Sequence, residues 1–214
     1  MPSDKAVVHV IDDDEAVRQS LAFLLSTAGF EAQTYESVTA FLNVAPKIAS
    51  GCVITDVRMP EIGGIELLRR LRKLKLAVPV IVITGHGDVP LAVEAMKIGA
   101  ADFLEKPFDD EVLLASVRSA LNTLDRERKR EAERSEIAAR LAGLSSRERE
   151  VLEGLVAGQA NKQIAHALGI SPRTIEIYRA NLMTKMHAAS LSDLVRMALI
   201  TGILGPGSDD PTKS

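Results

Sequence analysis

The chain has 214 residues, 26 basic and 29 acidic side chains, a formal net charge of −3 and a hydrophobic fraction of 46%. Its length admits one large or two small domains, and its apolar content excludes a mostly disordered chain. A bulk polycation is excluded as well, and an aromatic content of 3% with no Trp argues against base-stacking platforms and aromatic carbohydrate clefts.

The first half alternates strand-like and helix-like segments. Val7-Val8-His9-Val10-Ile11 reads as a strand rich in β-branched residues. Ala16 to Ala28 has helical apolar spacing at Val17, Leu21, Leu24 and Leu25, with Gly29 as its stop. Glu31 to Tyr35 reads as the second strand, followed by a helix from Ser37. Gly51 to Thr55 reads as the third strand, and Gly64 to Leu74 as a helix with Ile65, Leu68 and Leu71 on one face. Val80 to Ile83 is expected as the fourth strand, Val89 to Ile98 as the fourth helix and Asp102 to Leu104 as the fifth strand. Asp110 then opens a fifth helix bearing Leu113, Leu114, Val117, Leu121 and Leu124. Five such units predict an α/β domain: a doubly wound, flavodoxin-like, five-stranded parallel sheet covered on both faces. Its functional crevice should lie beyond the carboxyl ends of the strands.

The residues at those ends share one chemistry. Asp12-Asp13-Asp14 follows strand one, Asp56 strand three and Lys106-Pro107 strand five, and Thr84 ends strand four. Crowded carboxylates require a compensating cation, and a hard divalent ion with oxygen ligands suits them. Mg²⁺ and Lys106 would neutralise transferring phosphoryl oxygens while Asp56 attacks. Taken singly, Asp14 is equally a helix N-cap and Lys106-Pro107 a turn. Their joint, ordered occurrence carries the weight.

Val-Ile-Asp12-Asp13-Asp14, Thr55-Asp56-Val57-Arg58-Met59-Pro60, Ile-Thr84-Gly-His-Gly and Glu105-Lys106-Pro107-Phe108, with Gly63-Gly64, resemble the receiver domain of bacterial two-component response regulators. The resemblance implies that Asp56 is the phosphoacceptor. It implies Mg²⁺ at Asp12, Asp13, Asp56 and the backbone carbonyl of Arg58, with Asp13 and Asp56 as direct carboxylate ligands. Lys106 would pair with the phosphoryl group. Thr84 would swing inward to bond it, drawing Phe103 in from the surface formed by helix four and strand five. From the residues alone, Phe103 is equally a core aromatic. Arg58 and His86, two positions past Asp56 and Thr84, are expected to crowd the hydrolytic water and prolong the aspartyl-phosphate.

The charge is unevenly distributed. Residues 1–124 hold 12 basic and 17 acidic side chains, residues 125–142 six and five, and residues 143–214 eight and seven. The run Asp125 to Glu131 contains no apolar residue and reads as a charged helical linker. The expected domains are therefore a receiver at 1–124, a linker at 125–142, a second domain at 143–204 and a disordered tail at 205–214.

The second domain reads as four short helices. Ser145 or Ser146 caps the first, which carries Val151, Leu152, Leu155 and Val156. Asn161 to Leu168 is the second, Arg173 to Met186 the third behind Ser171-Pro172, and Ser192 to Ile200 the fourth. Two short helices joined by a tight Gly turn form a helix-turn-helix arrangement. Leu144 to Leu152, Asn161-Lys162-Gln163-Ile164-Ala165, Ile170 to Glu176 and Asn181 to Met186 resemble the LuxR-type DNA-binding domain. Helical spacing turns Ile175, Leu182 and Met186 inward. The resemblance implies base reading by Glu176, Ile177 and Ala180, and phosphate contacts from Lys162, Arg173, Thr174, Arg179 and Lys185. Lys162 and Arg173 are equally plain surface cations, and Tyr178 either bonds a phosphate or packs.

The order receiver, linker, LuxR-type domain is similar to the FixJ-type regulators of nitrogen fixation. This implies a FixL-like sensor histidine kinase, a double-stranded DNA promoter, RNA polymerase as transcriptional partner and homodimerisation on phosphorylation. Two rivals are a Mg²⁺-dependent aspartyl-phosphate phosphatase and a phospho-switch adaptor whose output domain binds protein. The phosphatase reading suffers because Arg58 stands where a general acid is needed. The single cysteine, Cys52, forms no internal disulfide and is expected to be a small buried hydrophobe. With no secretory signal and no apolar run of membrane-spanning length, a cytoplasmic location with no membrane association is expected.

Overall fold

The computed structural model describes residues 6–48, 50–85 and 89–203. The chain divides into two compact units, Met1–Glu127 and Arg128–Ser214. The predicted tail and His86 lie outside the described residues.

In the first unit the elements are β1 (Val7–Ile11), α1 (Glu15–Thr27), β2 (Glu31–Tyr35), α2 (Val38–Leu42), a 3-10 turn (Ala45–Lys47), β3 (Cys52–Asp56), α3 (Gly64–Lys73), β4 (Val80–Thr84), α4 (Val89–Ile98), β5 (Asp102–Glu105) and α5 (Asp110–Ala142). The strands form one parallel sheet in the order β2-β1-β3-β4-β5. Chain order reverses between β1 and β3, so the crevice opens at their carboxyl ends.

The central strands are apolar on both faces, yet period-two alternation still sorts them. Val53, Val80 and Val82 face α2, α3 and α4, packing with Phe41, Leu67 and Leu71. Cys52, Ile54, Ile81 and Ile83 face α1 and α5, packing with Leu25, Leu113 and Val117. Burial pushes the Cys52 thiol up to about 12, as suits a packing residue rather than a nucleophile. His9 is buried between Tyr35 and Phe41, and that burial lowers its pKa.

Three boundaries differ from the sequence reading in ways that matter. β3 runs one residue further, so Asp56 is the last residue of a strand and pairs in register with Ile83. β5 extends to Glu105, which pairs with Thr84 and brings Lys106 directly to the strand end. The fifth helix and the expected helical linker form one unbroken element, α5, 33 residues long and ending at Ala142. Its Arg, Lys and Glu are good helix formers, and neither Gly nor Pro interrupts them. The later turns bury Ile137 and Leu141 in the second unit, so part of the predicted linker is core there.

The second unit is helical: α6 (Ser146–Val156), α7 (Asn161–Leu168), α8 (Pro172–Met186) and α9 (Leu191–Thr201). Ser145 is the cap of α6, in a reciprocal capping box with Glu148. Ser171 caps α8 and Ser190 caps α9. Gly169 closes α7 at φ +67°, the left-handed conformation that makes the tight turn into α8. Val151, Leu152, Ile164, Ile175, Leu182 and Leu194 fill the core.

Candidate functional site

The carboxyl ends of β1, β3 and β5 bring Asp12, Asp56 and Lys106 together. Lys106 Nζ donates to Asp12 Oδ2 at 3.2 Å and to Asp56 Oδ1 at 3.0 Å. Both carboxylates are nearly buried, at 3% and 12% side-chain exposure, while Lys106 retains 28%. The other oxygens are also occupied: Asp14 N–H donates to Asp12 Oδ1 at 2.9 Å and Arg58 N–H to Asp56 Oδ2 at 2.7 Å. Burial alone would lower the Lys106 ammonium, but Asp56 and Asp12 outweigh it and hold its pKa above the ordinary value. The cation thus remains charged at the point where the carboxylates crowd.

Local sequence builds this geometry. Asp14 caps α1, its carboxylate accepting the N–H groups of Ala16 and Val17, so the capping reading of Asp14 holds. Asp13 is exposed, and its carboxylate makes no hydrogen bond or ion pair among the described residues. Thr84 is buried at the end of β4, and its carbonyl accepts the Lys106 N–H at 2.7 Å. Phe103 is half-buried and packs against the α2/α3/α4 side of the sheet. Arg58 is exposed.

Two features escaped the sequence reading. Arg18 Nη1 donates to the carbonyls of Asp12 and Asp13 at 2.8 and 3.0 Å. Gly64 lies so close to β3 that a Cβ there would sit 2.4 Å from the Asp56 carbonyl oxygen. The Gly-Gly pair signals the second; an Arg on α1 six residues past Asp12 has no local signature.

Among the described residues no group of three or more His, Cys, Asp and Glu side chains converges to hold a metal. The donors that do converge, two carboxylates beside the Arg58 backbone, are hard oxygens. Mg²⁺ characteristically takes one or two carboxylates and completes its shell with water and phosphate oxygens, so the set fits it.

In the second unit, α8 turns Ile175, Leu182 and Met186 inward and leaves Glu176, Ile177 and Ala180 exposed. Ile177 is 58% exposed on the helix that carries Arg173, Arg179 and Lys185. Tyr178 packs against the core. Lys162 and Arg173 are exposed and make no ion pair among the described residues. Three expected phosphate contacts have internal partners. Lys185 Nζ pairs with the buried carboxylate of Glu148 at 2.8 Å, and Arg179 Nη1 donates to Asn161 Oδ1 at 3.1 Å. Thr174 Oγ1 lies 2.8 Å from Ser171 Oγ. For Lys185 the reason is burial: Glu148 serves as the capping-box acid of α6, and its desolvated carboxylate needs a cation that α8 supplies.

Residues 8–118 match the response regulator receiver domain, and residues 142–198 match the bacterial regulatory proteins of the luxR family. The chain is 58% identical over 205 residues to the transcriptional regulatory protein FixJ of Azorhizobium caulinodans, covering 96% of this chain and 97% of that protein. Full-length FixJ from B. japonicum is a structural neighbour at 55% identity and TM-score 0.61, covering 94% and 100% of the two chains. The response regulator StyR is another, at 38% identity and TM-score 0.79, covering 91% and 98%. Carboxylates gathered on a receiver sheet, followed by a helix-turn-helix unit, make this chain a member of the response regulator family, a FixJ-like transcriptional regulator.

Proposed function

We propose that the chain is the receiving end of a phosphorelay that controls transcription. The observation that carries this reading is Lys106 bridging Asp12 and Asp56 across three strand ends. An Asp56 carboxylate oxygen attacks the phosphorus of a phosphohistidine on a FixL-like sensor kinase. The P–O bond forms as the P–N bond breaks, and the histidine leaves with the electron pair. Lys106 stays charged and shifts toward the added phosphoryl oxygens, and the Thr84 hydroxyl turns in to donate to one of them. Asp12, Asp13, Asp56 and the Arg58 carbonyl would hold Mg²⁺, which would supply the charge neutralisation that this transfer needs.

Phosphorylation adds about −1.5 to −2 charge at a site already rich in acids, so donors must approach. Thr84 moving inward leaves room for Phe103, which changes the face of α4 and β5. We read that face as the homodimer contact, and the helix-turn-helix unit as the reader of a duplex promoter that recruits RNA polymerase. Glu176, Ile177 and Ala180 read bases. The targets are nitrogen-fixation genes, and the site of action is the cytoplasm. No helix among the described residues is long and apolar enough to cross a membrane.

The chain's only chemistry in this reading is on itself. A phosphatase needs a general acid two positions past the nucleophile, and Arg58 offers Asp56 a backbone N–H instead. The luxR-family match over residues 142–198 favours a DNA reader over an adaptor, and the exposed Ile177 can then meet a thymine methyl. Sedimentation of wild type and Asp56→Asn, with and without beryllofluoride, tests the scheme. Dimerisation of wild type alone supports it; equal behaviour of the two proteins overturns it.

A further inference from the structure

We propose that Arg18 is a positioning residue that preassembles the β1–α1 acid loop for its divalent cation. The inference rests on the phosphoacceptor reading above. Arg18 lies in the first turns of α1, and a single guanidinium nitrogen, Nη1, donates to the carbonyls of both Asp12 and Asp13. Those oxygens belong to the two peptide units flanking the Asp13 Cα. Holding both planes fixes the backbone of Asp13, and with it the direction in which its side chain leaves the chain.

Asp13 is the acid that needs this help. Asp12 is anchored through both carboxylate oxygens, by the Asp14 N–H and by Lys106. Asp56 is anchored through both of its own, by Lys106 and by the Arg58 N–H. The Asp13 carboxylate is exposed and has no such anchor among the described residues. Its placement therefore depends on its main chain, and Arg18 is the side chain that grips that main chain.

The choice of atoms also matters. Lys106 occupies carboxylate oxygens, the atoms that a metal would take. Arg18 touches only carbonyl oxygens there. It adds a positive charge beside the acids without consuming a carboxylate ligand. Supporting groups of this kind commonly set metal affinity through the ligands they orient.

Calorimetric titration of Mg²⁺ into full-length wild type, Arg18→Met and Arg18→Lys tests the idea. Thermal melts in a chelator accompany it, together with phosphorylation by a small acyl phosphate across Mg²⁺ concentrations. Arg18→Met should weaken Mg²⁺ binding about 10-fold and raise half-saturating Mg²⁺ by the same factor. Its rate at saturating Mg²⁺ and its melting temperature in chelator should stay near wild type. Arg18→Lys, which keeps a donor and a charge, should recover part of the loss. Unchanged Mg²⁺ affinity in Arg18→Met overturns the proposal, as does a rate loss that saturating Mg²⁺ does not restore. Should Arg18→Met fail to fold, Arg18→Lys decides: binding weakened by about threefold supports the role, and wild-type binding refutes it. Wild type that binds no Mg²⁺ would instead sink the phosphoacceptor reading on which the inference stands.

Discussion

The most exacting prediction concerns Gly64→Ala. Gly64 opens α3, and a Cβ there would lie 2.4 Å from the Asp56 carbonyl oxygen, 2.9 Å from Thr55 Cγ2 and 3.1 Å from Thr55 Oγ1. Reaching ordinary contact with the oxygen requires a shift of about 1 Å in closely packed surroundings. The obstructing atom is main chain in a buried strand that is paired on both sides, so it cannot rotate away. Overpacking of this kind costs about 1–3 kcal/mol, against a helix-propensity gain of at most about 1 kcal/mol for Ala over Gly. The net expectation is about 1–2 kcal/mol of destabilisation, read by urea unfolding. The shift falls on the backbone of Asp56 itself, so phosphorylation by a small acyl phosphate should slow about 10- to 100-fold. A Gly64→Ala protein as stable as wild type would refute the steric reasoning. One that is destabilised but phosphorylated at the wild-type rate would refute the claim that this contact sets the position of Asp56.

Three further results follow from the second unit and the switch. Lys185, then the Ser145 N–H, hold the Glu148 carboxyl down to about 2, below its ordinary 4.5. Its stabilisation is thus full above pH 4.5 and is lost as pH falls toward 2; the gap between wild type and Glu148→Gln in unfolding free energy should shrink over that window. A gap of equal size at pH 6 and pH 3 would contradict the pairing. Ile175→Ala empties a fully buried site and should cost about 2–5 kcal/mol in denaturant melts, whereas Ile177→Ala, two residues on, should stay within about 0.5 kcal/mol yet weaken promoter binding. Thr84→Ala should still accept a phosphoryl group at Asp56 but fail to dimerise in sedimentation; wild-type dimerisation would separate Thr84 from the switch.

Much of this molecule is legible in its sequence, because the signals are local. Strand-sized apolar runs, helical stripes and the caps Asp14, Ser145 and Ser171 each report a neighbourhood of a few residues. The site was legible for a related reason: strand ends place Asp12, Asp56 and Lys106 on one edge whatever the packing beneath. What escaped notice depends on tertiary contact. The charged run Asp125–Glu131 reads as helical in the sequence, but whether it is a solvated linker or leads into a core is not a local signal: only the burial of Ile137 and Leu141 decides it. Arg18 reaches two carbonyls, which carry no side-chain identity to read. The pairing of Lys185 with Glu148 has no local signature either, because the two lie 37 residues apart in sequence.

That last case changes what DNA binding should look like. Net charge counts cations; binding counts those not already engaged. In the second unit Arg147 pairs with Glu150, Arg149 donates to the Leu141 carbonyl, and Arg196 pairs with Glu133 and Asp193. With Arg179 and Lys185 engaged as well, Lys162 and Arg173 are the basic side chains of α6 to α9 with no internal partner among the described residues. Each neutralised phosphate contributes about −0.9 to the slope of log affinity against log salt, so two per copy give roughly −2, and a dimer roughly −4. A single copy should therefore bind weakly even at low salt, and the gain on phosphorylation should come from doubling the contacts rather than from remaking them. Fluorescence anisotropy of the full chain on a duplex, across salt concentrations and with or without beryllofluoride, measures both slopes. A slope near −4 already present in the unphosphorylated monomer would mean that Arg179 and Lys185 give up Asn161 and Glu148 for phosphates, and that the positive charge of this module is not structural after all.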